Sequence, residues 1–364
     1  MEYNLSSFKE IIGYFIADAE PVSCEKFGNG HINGTYIAVL KEKGERSAYI
    51  LQHINKNVFK SPDKVMENIE KVTLFLGKKV SSPREVLHFL RCDNGTLCYK
   101  DKAGEYWRMY IYVDNCDGVD RPTLEEFYQS GVAFGRFQSL LSDFPAESLN
   151  ETIPDFHNTV KRYETFLKAV ENNLSSRRDN CLEEIEFIKR REEFYSVLIN
   201  ANKEGRLPLR VSHNDTKSNN VLLDNKTHKA VCVIDLDTVM PGFSVTDFGD
   251  SIRFGANTAD EDERDLSRVV FDIDKFNIYT KGFLEGCGGK LPKEEIELLP
   301  EGALMMTLEC GMRFLTDYLD GDKYFKTSYP EHNLVRCRTQ LRLASQIEKN
   351  WLELKNSVLN FTKG

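Results

Sequence analysis

Val211-Ser212-His213-Asn214-Asp215-Thr216-Lys217-Ser218-Asn219-Asn220-Val221-Leu222-Leu223-Asp224 opens as a polar loop and closes as an apolar strand. Asp224-Asn225-Lys226-Thr227 has turn composition, and the chain returns as Ala230-Val231-Cys232-Val233-Ile234 before Asp235-Leu236-Asp237. The unit is a loop, a strand, a turn and a second strand ending in acid. It sets a carboxylate, Asp215, and an amide, Asn220, five residues apart on one loop, with a further carboxylate, Asp235, at the far end of the hairpin.

An isolated His-x-Asp is an ordinary loop former, because such side chains satisfy nearby backbone groups. The spacing H-x-D-x-x-x-x-N on a loop leading into a strand hairpin is that of a protein-kinase catalytic loop. Phosphoryl transfer needs an oriented hydroxyl and metal ions bridging the phosphates, with little covalent work left to the protein. Asp215 reads as the base, Asn220 and Asp235 as metal ligands, and Lys217 as either a γ-phosphate contact or a solvated loop lysine. Asp247-Phe248-Gly249 spells the kinase metal motif literally, yet it follows Pro241-Gly242 and opens an apparent helix. Asp247 and Asp250 are therefore expected to support the loop as caps or buried acceptors.

Outward from this unit, the first third of the chain reads as strands and the rest mainly as helices. Strands are expected at 22–27, 35–40, 47–53, 96–100 and 106–113. One helix opens at Ser61-Pro62 with the apolar stripe Val65, Ile69, Val72 and Leu76. From Thr123 a helix carries Phe127, Val132, Phe134, Phe137 and Leu141, long charged helices fill 155–204, and the C-terminal third is helical. The expected organisation is a small β-rich lobe over 1–113, a linker over 114–122 and a larger helical lobe over 123–364.

The 364 residues are 41% hydrophobic and 29% charged, a composition that builds a large core. The formal net charge of −9 disfavours nucleic acid and anionic membrane as partners. The first residues lack the pattern of a signal peptide, and no apolar run reaches transmembrane length. Nine scattered cysteines without a C-x-x-C pair read as reduced thiols, so the expected location is cytoplasmic.

The runs Phe27 to Tyr36, Tyr49 to Asn55, His213 to Asn220, Ile234 to Gly242, Asp247 to Arg253 and Arg313 to Leu319 together resemble the aminoglycoside and choline kinase-like phosphotransferase family. The resemblance covers nearly the full chain and is nearest to members that phosphorylate the anomeric hydroxyl of N-acetylhexosamines. It implies an α+β, bilobal protein-kinase-like fold, ATP and Mg²⁺ as cofactors, and a small-molecule sugar (N-acetylglucosamine or N-acetylgalactosamine) as acceptor. Kinases of another small alcohol or amine, and a catalytically silent relative, are the alternatives.

Gly28 and Gly30 sit between two strands where backbone amides can approach phosphates, although a plain hairpin has the same look. His31 and Asn33 stand at the turn tip, within reach of phosphate or sugar. The resemblance makes Tyr112 and Val113 hinge residues whose backbone meets adenine. The third-strand lysine of kinases is replaced by Gln52, so either Gln52 bonds the phosphates or another cation neutralises them. Glu67 then lacks a partner and is assigned to a solvated helix face. In the apolar helix around 303–315, Arg313 is expected to be held by Glu309 and Asp317, four residues to either side, and aimed at sugar hydroxyls. Tyr324 is a further candidate for stacking on the sugar.

Overall fold

The structure, a computed structural model, describes residues 5–28, 32–42 and 44–361. Helix α1 (Leu5–Gly13) precedes strands β1 (Glu20–Lys26), β2 (Gly34–Glu42) and β3 (Glu45–Ile54), then helix α2 (Pro62–Gly77), β4 (Tyr99–Lys100) and β5 (Tyr106–Ile111). The five strands form one antiparallel sheet in the order β1-β2-β3-β5-β4. α1 lies outside the strand pattern read from the sequence. Its Phe8, Ile11 and Ile12 cover one face of the sheet with Leu40, Leu51, Trp107 and Met109.

α2 covers the other face. Its Val65, Ile69, Val72 and Leu76 are buried as their spacing predicts, and Pro62 stands at the helix start. That core also contains Val211, Cys232, Leu236 and Val239, so it binds the sheet to the hairpin carrying the loop described above.

Segment 114–122, expected as a bare linker, contains a short strand, β6 (Cys116–Gly118). The following α3 (Leu124–Leu140) is opened by a reciprocal capping box between Thr123 and Glu126. The long charged helices expected over 155–204 are three shorter ones, α4 (Thr159–Asn172), α5 (Leu182–Lys189) and α6 (Val197–Lys203). They are broken where Asn173 and Ser176 adopt positive φ, which exposed polar residues tolerate.

Then come β7 (Arg210–Ser212), β8 (Val221–Asp224), β9 (Ala230–Val233) and β10 (Met240–Gly242), and the helices α7 (Ser244–Gly255), α8 (Ile273–Cys287), α9 (Lys293–Ile296), α10 (Leu299–Asp320), α11 (His332–Lys349) and α12 (Trp351–Phe361). β8 pairs with β6 and β9, and β10 pairs with β7, so both ends of the loop from His213 to Asn220 are anchored in ladders. The helices share one large core that includes Phe127, Phe248, Phe276 and Leu308. α3 and α8 approach closely because a Cβ on Gly135 would lie 2.1 Å from the Phe283 carbonyl oxygen. The fold is α+β, a β-sheet part followed by a helical part, as expected. Of the nine cysteines, none is disulfide-bonded, seven are buried, and Cys24 and Cys310 are half-buried.

Candidate active site

The loop between β7 and β8 is held by a lattice of hydrogen bonds from beneath. Asp247, in the first turn of α7, is buried and accepts from the backbone N–H groups of His213 and Asn214 at 2.8 Å each and from Gln138 Nε2 at 2.9 Å. Asp250 accepts from Thr216 N at 3.2 Å and from the Arg253 guanidinium at 2.9–3.0 Å. Both acids carry the supporting role expected of them. Burial pushes the Asp247 carboxyl up, opposed by the hydrogen bonds it accepts from the His213 and Asn214 N–H groups. For Asp250 burial raises the pKa, but the nearby Arg253 and Lys217 charges outweigh it and hold the group low.

His213 is fully buried. Its Nε2 lies 2.8 Å from the Ile234 carbonyl, and its Nδ1 accepts from Asp215 N at 3.3 Å. This pattern assigns the proton to Nε2 and ties the loop to the end of the hairpin. Asn214 and Asp235 both adopt the left-handed conformation, with φ of 64° and 59°. Such residues away from ordinary turns are concentrated at functional sites. Gly118 on β6 lies so near the loop that a Cβ there would meet the Asn219 carbonyl oxygen at 2.4 Å.

Three of the four acidic-loop expectations come together. Lys217 Nζ lies 2.9 Å from Asp215 Oδ1, and Asn220 Nδ2 donates to the Asp215 carbonyl at 2.8 Å. The Asp215 charge, opposed by burial, raises the Lys217 pKa and keeps it cationic. The Asp235 side chain keeps access to solvent. Its enclosed surroundings, followed by the charges of Asp237 and Asp215, raise its pKa to about 6. Lys217 pairs with Asp215 and Arg108 with Asp237, whereas Asp235 has no ion pair among the described residues. Asn220 Oδ1 accepts no hydrogen bond among the described residues, so an oxygen donor is available beside it.

On the sheet side, Gly28 has φ +70°, the left-handed region that glycine adopts freely, while Gly30 and His31 lie outside the described residues. Asn33 is engaged at both ends of its amide: its Nδ2 donates to Asp237 Oδ2 and its Oδ1 accepts from Asn55 N at 3.0 Å. The Gln52 amide is engaged at both ends, to Thr35 Oγ1 at 3.0 Å and from Arg108 Nε at 2.8 Å. Tyr112 N–H is taken by the Ala48 carbonyl at 3.2 Å, whereas Val113 N–H makes no backbone hydrogen bond among the described residues. The Tyr112 ring meets Phe27 edge to face, with centroids 5.9 Å apart. Glu67 pairs with Lys71 at 2.6 Å on the helix surface, as expected of a solvated face.

Arg313 departs from expectation. Glu309 and Asp317 do not hold it, because each has better partners. Glu309 is buried and binds His157 Nδ1 at 2.8 Å and the Thr159 hydroxyl, while Asp317 accepts from the backbone N–H groups of Lys323, Tyr324 and Phe325 at 2.8–2.9 Å. Among the described residues Arg313 makes no hydrogen bond or ion pair. Its guanidinium stands 5.6–5.9 Å from the ring centroids of Phe156, Tyr324 and Phe325. Asp317 thus fixes the turn that carries two of the three rings. Arg162 lies nearby, its Nε buried without a partner. Its pKa is lowered by burial and then by the Arg313 charge. The region therefore holds two guanidinium groups, and neither has a carboxylate of its own.

The sequence gives no sign of His157, which joins this region to the loop between β7 and β8. Its Nδ1 meets Glu309 and its Nε2 lies 3.3 Å from the Asn214 carbonyl, adjacent to Asp215. Burial raises the Glu309 pKa, but the charges of His157 and Arg313 overcome it and hold the group low. His157→Leu would leave that buried carboxylate without its partner. A loss of about 3 kcal/mol is expected, read as a lower midpoint in thermal or urea denaturation.

The fold is similar to those of several solved structures. A microcompartment-associated aminopropanol kinase superposes with a TM-score of 0.59 at 15% identity, covering 97% of this chain and 99% of that one. An ethanolamine kinase from Plasmodium vivax gives 0.55 at 13% identity over 93% and 90% of the two chains. A spectinomycin phosphotransferase in complex with ADP and spectinomycin gives 0.58 at 14% identity over 96% and 100%. At these identities the likeness speaks for the fold. The sequence itself matches the model of the phosphotransferase enzyme family over residues 23–273, a span that holds Asp215, Asn220 and Asp235, and the chain belongs to that family.

Proposed function

We propose that the protein is an ATP- and Mg²⁺-dependent kinase that phosphorylates the anomeric hydroxyl of an N-acetylhexosamine. The observation that carries the acceptor class is the unpaired Arg313 guanidinium ringed by Phe156, Tyr324 and Phe325. A guanidinium with free donors can bond ring hydroxyls or an acetamido oxygen, and aromatic rings suit the C–H face of a sugar. Amine-bearing alcohols such as aminopropanol and ethanolamine are cations at neutral pH. They would meet Arg313 and Arg162 as like charges, which disfavours them here.

In this reading Asp215 accepts the proton of the anomeric hydroxyl as its oxygen attacks the γ-phosphorus and the bond to the β-phosphate oxygen breaks. Lys217 holds Asp215 Oδ1 at 2.9 Å, while Oδ2 has only a long contact of 3.4 Å from Asn220 Nδ2 and keeps capacity to accept from the acceptor hydroxyl. His157, bridging Glu309 and the Asn214 carbonyl, fixes the acceptor region against the loop. The N-terminal residues 1–113 would contact the nucleotide, with Val113 N–H free for adenine, and 123–364 would supply the acceptor site.

Magnesium fits the donors at the loop. Asp235 and the Asn220 side-chain oxygen are hard ligands, and the negative charges of Asp237 and Asp215 beside Asp235 favour a cation. No cluster of three or more His, Cys, Asp or Glu arranged to hold a metal occurs among the described residues. That suits an ion bound through one or two carboxylates and the substrate phosphates. When bound, the ion would neutralise charge on those phosphates.

The reading is tested by ATP consumption across N-acetylglucosamine, N-acetylgalactosamine, neutral hexoses, choline, ethanolamine and an aminoglycoside. Consumption only with the amines would reject it. Arg313→Lys keeps the charge but loses the planar fork. It is expected to raise the KM for the sugar about tenfold or more, with the KM for ATP near wild type. Unchanged sugar kinetics beside a lowered melting temperature would make Arg313 a structural residue.

A further inference from the structure

Strands β3 and β5 pair in a register that sets Gln52 directly opposite Arg108. Arg108 is only 2% exposed. Its Nε donates to Gln52 Oε1 at 2.8 Å, and its Nη1 pairs with Asp237 Oδ1 and lies 3.8 Å from Met66 Sδ. Nη2 has no partner among the described residues, and it is absent from the buried, unsatisfied groups. It therefore keeps a small solvent exposure, and the Asp235 charge acts on this guanidinium from nearby. A buried guanidinium is costly unless its donors are met, so an arginine serving only as an internal clamp would have this group paired as well.

Gln52 is neutral, and its amide is used within the sheet. Helix α2 offers Met66 toward Arg108 rather than a carboxylate, since Glu67 is turned to Lys71 and Asn150. The counter-charge comes instead from Asp237, two residues beyond Asp235. Asp237 is 3% exposed and also accepts from Asn33 at the end of the glycine loop.

The geometry points to Arg108 as the cation that grips the nucleotide phosphates, presented from β5 beside Gln52 and held in place by Asp237. This inference deepens the kinase reading and rests on it. Nη2 supplies a charge-assisted donor toward the cleft, while Gln52 and Asp237 fix the plane of the guanidinium on its two remaining sides. Asn33 donates to the same carboxylate, so Asp237 is held by both Arg108 and Asn33.

The test measures binding of ATP, ADP and adenosine by calorimetry in EDTA, so that metal contributes nothing. The variants are Arg108→Lys and the double change Arg108→Gln with Asp237→Asn, which removes both buried charges at once and leaves neither orphaned. Wild type is expected to bind ATP and ADP more tightly than adenosine. The double variant should lose about tenfold or more in ATP and ADP affinity, as expected for one charge-assisted bond, with adenosine affinity within about twofold of wild type. Arg108→Lys should lose less, because charge is kept and geometry is not. An ATP-to-adenosine affinity ratio unchanged in both variants would overturn the assignment of Arg108 and leave the kinase reading standing. No nucleotide binding by wild type would overturn both.

Discussion

Asp215→Asn is expected to lower kcat by about 10²–10⁴-fold while ATP affinity stays near wild type. The exchange is nearly isosteric. An asparagine can still accept from Lys217, which stands 2.9 Å away, and the backbone carbonyl that binds Asn220 is untouched. What is lost is the capacity to take a proton from the acceptor hydroxyl. Single-turnover rates beside direct ATP binding separate these effects, and turnover above about a tenth of wild type would remove Asp215 from the base role.

The second large effect divides two carboxylates that the sequence makes easy to confuse. Asp247→Asn should act on stability. Its carboxylate receives two backbone N–H groups and Gln138 in the interior, and an amide would turn a donor toward one of them. A cost of about 3 kcal/mol is expected, from the loss of charge-assisted bonds and one clash of donors. Asp235→Asn should act on chemistry and spare the fold. Its pKa is raised by its enclosed surroundings and by Asp237 and Asp215, so at neutral pH its charge opposes folding, and an amide relieves that repulsion. The melting temperature of the metal-free Asp235→Asn protein should match or exceed wild type, while the Mg²⁺ concentration for half-maximal activity rises and turnover collapses. If Asp247→Asn shifts the Mg²⁺ dependence and Asp235→Asn leaves it unchanged, the carboxylates have been assigned the wrong way round.

Much of the site was legible because its information is local. The run from His213 to Asn220 and the hairpin to Asp235 lie on one continuous stretch, and the place of Asp247 after Pro241-Gly242 already argued for a supporting role. The rest depends on long-range pairing. Arg108 is one residue in Tyr106-Trp107-Arg108-Met109-Tyr110-Ile111, and nothing in that run marks it until the β3–β5 register brings it to Gln52. The carboxylate partner of His157 is 152 residues away.

Arg313 shows the limit of helical spacing. Carboxylates four residues to either side share its face, yet His157, Thr159 and the N–H groups of the 323–325 turn bind them more effectively. Competition from distant partners outweighs a surface i,i+4 pair, which is worth only about 0.2–0.5 kcal/mol. The same competition left Arg313 with free donors, and the sequence offered no sign of it. Helix α1 escaped because its nine residues precede the strand pattern and earn their stability by covering the sheet.

The most direct test of the account is phosphorus NMR of the product formed from ATP, Mg²⁺ and N-acetylglucosamine or N-acetylgalactosamine, read together with an assay for reducing ends. The account predicts a phosphate monoester on the anomeric carbon, with one reducing end lost for each ATP consumed. A phosphorylated sugar that keeps its reducing end, or ATP consumption only with amine-bearing alcohols, would contradict it.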